Sequence, residues 1–218
     1  MREKQMVGSF EIIIGPMFSG KTEELIRRLK RHEIRHRRTH LFAPINSKGR
    51  YGGVEEWRSL GGLSYGDVSF IGEDNNGVTA LVNETLTKGF DVIGIDEVQF
   101  FTLGSEEPPL IVDAIRLLNE RGIDVIAAGL NMDFRGEPFG KMGYLIAIAD
   151  KITQLTAVCD VCGREAYYTQ RLLNGKPAPY DSPLIMIGAR ETYQARCKDH
   201  HEVPNKRINR FQNYQLKI

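Results

Sequence analysis

Gly15-Pro16-Met17-Phe18-Ser19-Gly20-Lys21-Thr22 fits the pattern G-x-x-x-x-G-K-[ST] at every fixed position. Its neighbours supply the context that the pattern requires. Phe10 to Ile14 reads as a strand, and its apolar run Ile12-Ile13-Ile14 predicts that it is buried. From Glu23 to about Arg38 the chain carries Leu25, Ile26, Leu29 and Ile34 roughly on one face, which predicts a helix. Strand, glycine-rich turn and helix in that order make a phosphate cradle. The glycines let backbone N–H groups turn inward, and the helix N-terminus adds positive potential. Lys21 is then placed to reach the β- and γ-phosphates of a nucleotide, and the Thr22 hydroxyl to help hold Mg²⁺.

Working outward, further strand-like runs occur at His40–Ala43, Asp91–Ile95, Asp124–Ala128 and Ile152–Val158. Leu110, Ile111, Ala114, Leu117, Leu118 and Arg121 form a helical stripe that starts after Pro108-Pro109 and stops at Gly122. This alternation predicts the α/β class, with a parallel sheet flanked by helices. Near Ala157 the chain becomes rich in Cys, Gly, Pro and Tyr, with no helical period. Residues 1–156 are therefore expected to form a nucleotide-binding domain and 157–204 a small second one, followed by a polar tail at 205–218. The glycine-rich stretch Gly49–Gly66 is expected to be a mobile loop or hairpin.

Composition narrows the classes. Of 218 residues, 41% are hydrophobic and 26% charged, as in an ordinary soluble globular protein. A formal net charge of +1 gives no global attraction to nucleic acid or to an anionic membrane. The basic positions Arg27, Arg28, Lys30, Arg31, Arg35, Arg37 and Arg38 read as a solvated helix face rather than a nucleic-acid contact. The first apolar run, Ile12-Ile13-Ile14, is too short for a signal-peptide core or a membrane span, so a cytoplasmic protein without membrane partners is expected.

Val92-Ile93-Gly94-Ile95-Asp96-Glu97 is an apolar strand ending in two carboxylates. Asp96 is the candidate for completing the Mg²⁺ shell opposite the cradle. Side chains alternate across a strand, so Glu97 need not share that metal. It is either a general base, worth roughly 10²–10⁴-fold in rate, or a structural, water-positioning acid. Cys159-Asp160-Val161-Cys162 and Cys197-Lys198-Asp199-His200 together use every cysteine of the chain. Three thiolates and one imidazole are the donor set of a structural Zn²⁺ site. His201 is the alternative fourth ligand, although the shorter spacing favours His200, and redox chemistry at Cys159 and Cys162 is a second reading of the pair.

These elements, in this order, resemble the thymidine kinases of the zinc-containing, tetrameric class. The resemblance rests on Gly15–Thr22 with the following Glu-Glu-Leu-Ile-Arg-Arg, on Ile-Asp-Glu-Val-Gln-Phe-Phe at 95–101, on Gly-Leu-Asn-Met-Asp-Phe-Arg-Gly-Glu-Pro-Phe-Gly at 129–140, and on the Cys/Cys/Cys/His module. It covers roughly residues 10 to 204. It implies a RecA-like P-loop domain with helices on both faces of its sheet, and a small zinc-binding lasso domain closing over a nucleoside. It also implies a homotetramer that uses ATP, Mg²⁺ and thymidine.

By position, the resemblance makes Glu97 the general base toward the 5′-hydroxyl. It adds Arg50, Asp96, Val98 and Gln99 to the cradle as ATP and Mg²⁺ contacts. Phe134 matches the ring that packs on thymine, and Tyr193 the tyrosine that closes the pocket. Leu184, Ile185, Met186, Ile187 and Gly188 match the stretch whose backbone reads the base edge. Met17 and Thr169 match the floor around the base methyl group.

The match departs between Ile45 and Leu63. Where the family has Asp-x-Arg-Tyr, this chain has Lys48-Gly49-Arg50-Tyr51, and where Ser-His-x-Gly is common it has Ser59-Leu60-Gly61-Gly62. Lys48 either clamps ATP together with Arg50 or stands solvated in a mobile loop. The expected activity is phosphoryl transfer from ATP to thymidine or deoxyuridine. The rival reading is a nucleic-acid-stimulated RecA-like ATPase, which needs a basic face that the net charge does not supply.

Overall fold

In a computed structural model, residues 6–47, 57–58, 62–66, 68–186 and 192–206 are described. The runs β1 (Phe10–Ile14), β2 (Thr39–Pro44), β5 (Val68–Ile71), β6 (Val92–Ile95), β7 (Asp124–Gly129) and β8 (Lys151–Gln154) form one sheet in the order β5-β2-β6-β7-β1-β8. Every pairing in it is parallel. Central strands with both faces covered tend to unbroken apolar runs, as in Val92–Ile95, whereas Glu11 in β1 and Thr39 and His40 in β2 interrupt theirs.

Alternate side chains separate two cores. On one face Ile13, Leu41, Val92 and Ile126 pack against Leu25, Ile26 and Leu29 of helix α1 (Lys21–Ile34). On the other, Ile12, Phe42, Ile93 and Val125 pack against three helices: α2 (Asn75–Lys88), α3 (Leu110–Glu120) and α4 (Met142–Ile148). Helices thus cover both faces. The close approach of α1 depends on Gly94, where a Cβ would lie 2.7 Å from Leu29 Cδ1 and 2.9 Å from Leu41 Cδ1.

Several boundaries differ from those expected. Helix α1 starts at Lys21 and ends at Ile34, because His36 adopts a left-handed conformation (φ 59°) and turns the chain toward β2. Ile34 is 78% exposed and does not share the buried face of Leu25, Ile26 and Leu29. The expected strand at 152–158 is two pieces: β8 on the sheet edge, and Ala157–Val158 (β9) in a separate ladder. Helices α2 and α4 and strand β5 are additional to those the periodicity predicts. The buried positions of α2 include Gly77 and Thr85, which dilutes its apolar stripe. Its end signals are nevertheless present: the Asp74 side chain accepts from Gly77 N, and Gly89 ends the helix in the left-handed region.

Within the glycine-rich stretch, β3 (Trp57–Arg58) pairs antiparallel with β4 (Ser64–Tyr65). Beyond β8, β9 pairs with β10 (Glu165–Ala166), and β11 (Tyr168–Leu173) lies between β12 (Lys176–Pro177) and β13 (Tyr193–Arg196), all antiparallel. Among the described residues, no helix is long and apolar enough to cross a membrane.

The space beside Gly94 yields a test of the packing. Gly94→Val would force the methyls of Leu29 and Leu41 apart in a filled core, and is expected to lower unfolding stability by about 1–3 kcal/mol. Urea denaturation followed by circular dichroism checks this; an unchanged midpoint would contradict the close approach of α1.

Candidate active site

The parallel sheet brings the C-terminal ends of β1, β6 and β7 to one edge, and the candidate site is built from the segments that leave those three strands. After β1 the chain turns at Gly15, where a Cβ would meet Leu155 O at 2.5 Å. Phe18 (φ 65°) and Gly20 (φ 79°) take left-handed conformations. Gly20 caps α1 without a side-chain hydrogen bond, so the first amides of the helix are not occupied by a capping side chain. Lys21 Nζ folds back to donate to Pro16 O at 2.6 Å. Burial lowers the pKa of this ammonium, while the carboxylates of Glu97, Asp96 and Glu23 act in the opposite direction.

Asp96 comes directly after β6 and is 2% exposed. Its Oδ2 accepts from Thr22 Oγ1 at 2.9 Å and its Oδ1 from Glu97 N at 2.9 Å. A hydroxyl and a carboxylate are hard oxygen donors of the kind Mg²⁺ takes. Strand β6 ends at Ile95, and Glu97 is left-handed at φ 50°, so a turn, rather than strand alternation, separates the two acids. The Glu97 carboxylate accepts from Gln99 Nε2, and Gln99 Oε1 in turn accepts from Leu130 N at 3.0 Å. This relay fixes Glu97 relative to the segment after β7. Gly129 makes room for it, since a Cβ there would lie 2.6 Å from Gln99 Oε1.

A cleft of about 310 Å³ joins these parts. One wall is the turn from Met17 to Glu23 with Asp96 and Glu97; the other includes Phe134, Thr169, Leu184, Ile185, Met186 and Tyr193. Gly15 and Pro16 lie at the root of the turn, and Val98 and Gln99 are buried outside the cleft lining. Met17 N donates to Thr169 Oγ1 at 3.0 Å, tying the cradle to β11. Tyr193 Oη donates to Met186 O at 2.6 Å. Lys48, Arg50, Ile187 and Gly188 lie outside the described residues. Sequence reasoning missed Arg171, whose guanidinium sits 4.0 Å from the centre of the Phe134 ring. The strand period held a signal for it, because Thr169 and Arg171 are two residues apart on β11 and both line the cleft.

Cys159, Cys162, Cys197 and His200 bring four donor atoms within 4.8 Å of one another. His200 Nδ1 is 3.2 Å from Cys197 Sγ and 3.8 Å from Cys159 Sγ. Burial raises the pKa of the Cys159 thiol, but backbone hydrogen bonds from Cys197, Val161 and Cys162 outweigh it and bring the thiol well below its ordinary value. An S₃N donor set suits a metal such as zinc. His201 is engaged elsewhere: its Nε2 lies 2.9 Å from Phe134 O and its ring stacks on Tyr168 at 4.7 Å.

The family model for thymidine kinase matches residues 8–201. A thymidine kinase of Thermococcus kodakarensis is 46% identical over 199 residues, covering 91% of this chain and 96% of that protein. One of Coprothermobacter proteolyticus is 46% identical over 204 residues, covering 94% and 96% respectively. One of Deinococcus deserti is 45% identical over 199 residues, covering 90% and 95%.

The two histidines separate in a metal assay. The purified protein is expected to hold zinc at an equimolar level, His200→Ala to lose it on dialysis, and His201→Ala to retain it. Elemental analysis decides; full zinc in His200→Ala would remove His200 from the ligand set.

Proposed function

This chain belongs to the thymidine kinase family and is an ATP-dependent nucleoside kinase, and we propose that it transfers the γ-phosphoryl group of ATP to the 5′-hydroxyl of thymidine, giving dTMP and ADP. Deoxyuridine, which lacks only the base methyl, is the alternative acceptor. The observation that carries this reading is the cleft itself: the phosphate cradle, an oriented carboxylate and an aromatic wall face one cavity.

In this reading the turn from Gly15 to Thr22 cradles the phosphates. Lys21 leaves its contact with Pro16 O to reach the β- and γ-phosphates. Thr22 and Asp96 would hold the Mg²⁺ that accompanies ATP, which supplies charge neutralisation on the phosphates. The Glu97 carboxylate accepts the proton of the 5′-hydroxyl as that oxygen bonds to the γ-phosphorus. The bond from the γ-phosphorus to the bridging oxygen breaks, and ADP leaves with that oxygen. Gln99 keeps Glu97 oriented through its second bond to Leu130 N, so little reorganisation is needed when the substrate binds.

Phe134, Tyr193 and the segment from Leu184 to Gly188 are assigned to the base, and Met17 and Thr169 to the floor around its methyl. Residues 157–204 form the lasso domain, with structural zinc on Cys159, Cys162, Cys197 and His200. A backbone reader on such a segment suits discrimination, because peptide N–H and C=O groups cannot rotate away from the base. A cytoplasmic homotetramer without a nucleic-acid partner completes the proposal.

Glu97→Gln keeps the size of the side chain while removing its basicity. It is expected to lower kcat at least about 100-fold with KM for ATP and thymidine little changed. Steady-state kinetics over a panel of nucleosides tests both parts. A near wild-type kcat would remove Glu97 as the base, and transfer to purine nucleosides in preference to thymidine would overturn the substrate assignment.

A further inference from the structure

Arg171 is 3% exposed and stands on the wall of the cleft. One terminal nitrogen donates to Leu184 O at 2.6 Å and the other to Pro183 O. The guanidinium lies over the Phe134 ring, and 5.3 Å from the centre of the Tyr193 ring. Its Nε is buried without a hydrogen-bond partner among the described residues. Its direct contacts there are carbonyls and aromatic rings, while the Asp133 carboxylate acts on it through charge.

Stability does not account for such a residue. A buried donor left unmet costs stability. A buried charge can often be replaced by an apolar side chain of similar volume without loss of stability. Burial lowers the pKa of Arg171, which reports the same desolvation.

The contacts of the guanidinium indicate its use. Pro183 and Leu184 lead directly into Ile185 and Met186 on the cleft wall, where Tyr193 Oη donates to Met186 O. Among the described residues, no strand pairing holds 180–186. Arg135 makes a parallel set of contacts further out, donating to Tyr180 O at 2.7 Å and to Ser182 O at 2.8 Å. Two arginines therefore pin this strap by its carbonyls, and both lie over the Phe134 ring. Arg171 is the closer, at 4.0 Å against 5.0 Å, and it holds the part of the strap that enters the cleft.

We infer that Arg171 is a positioning residue for the nucleoside: it fixes the strap Pro183–Met186 against Phe134, so that the base site is formed before the substrate arrives. The inference rests on the thymidine kinase reading for its substrate but not for the strap geometry. Pre-organisation of this kind acts on affinity for the ligand whose site is formed, here the nucleoside and not ATP.

Arg171→Met keeps the length of the side chain without its donors, and Arg171→Lys keeps the charge without the two-pronged contact. The Met variant is expected to raise KM for thymidine about tenfold, with the Lys variant between it and wild type. KM for ATP, zinc content and the thermal midpoint should stay near wild-type values. Amide hydrogen exchange at Leu184–Met186 should accelerate in the Met variant, a readout that needs no turnover. Unchanged exchange there, or a thymidine KM within twofold of wild type, overturns the inference. So does a variant that loses zinc, stability and ATP affinity together, because that pattern marks a structural residue. If wild-type protein transfers nothing to thymidine, the proposed function fails while the exchange comparison still decides the role of Arg171.

Discussion

The 2.9 Å hydrogen bond from Thr22 Oγ1 to Asp96 Oδ2 joins the first turn of α1 to the end of β6, across a sheet in which β7 stands between β1 and β6. It can form only because the three strands are parallel and in close register, with Ile14 beside Gly129 and Ile95 beside Ala127. That register delivers the cradle, the acidic pair and the Gly129–Phe134 segment to a single edge. Small residues make the arrangement compact. Gly94 lets α1 settle on β6 and Gly129 lets Gln99 pass between Glu97 and Leu130. The end of the cleft formed by the Gly15–Thr22 turn is thus a consequence of sheet order, at the carboxyl ends of parallel strands where such folds hold their ligands.

The end of the cleft lined by Phe134 and Tyr193 depends on a different kind of order. Its walls come from short antiparallel ladders and an irregular strap that bury little apolar surface. Cross-links of other chemistry hold them: the Cys/His cluster between the β9–β10 hairpin and the end of β13, and arginine–carbonyl contacts along residues 180–184. Phe18 of the cradle packs against the small core around Cys159 and Cys197, and Met17 N reaches Thr169. The two ends of the cleft are therefore coupled through the phosphate turn itself.

Much of this was legible along the chain because it is local. An eight-residue cradle, a strand ending in Asp96-Glu97, and cysteines in a close pair each declare themselves through spacing alone. Helix α2 was not legible, because its buried positions include glycine and threonine and its face is read only against the neighbouring α3. Ile34 was misplaced for the complementary reason: helical periodicity continues past the point where the left-handed His36 ends the helix. Glu97 illustrates a third case: the strand ends at Ile95, so a left-handed turn rather than strand alternation sets the two carboxylates, and both line one cleft.

The amino-acid sequence by itself determined the α/β class, the phosphate turn and the donor set of the metal cluster, since each depends on residues close together or on residue type. Spacing favours His200 over His201 without separating two adjacent residues, and it is the tertiary structure that gathers His200 with the three thiols. In the fold one ring turns to the thiols and the other to Phe134 O. Only the tertiary structure, likewise, brought out Arg171. The strand period sets it on the same face as Thr169, but only packing removes it from water and places carbonyls and an aromatic face around it.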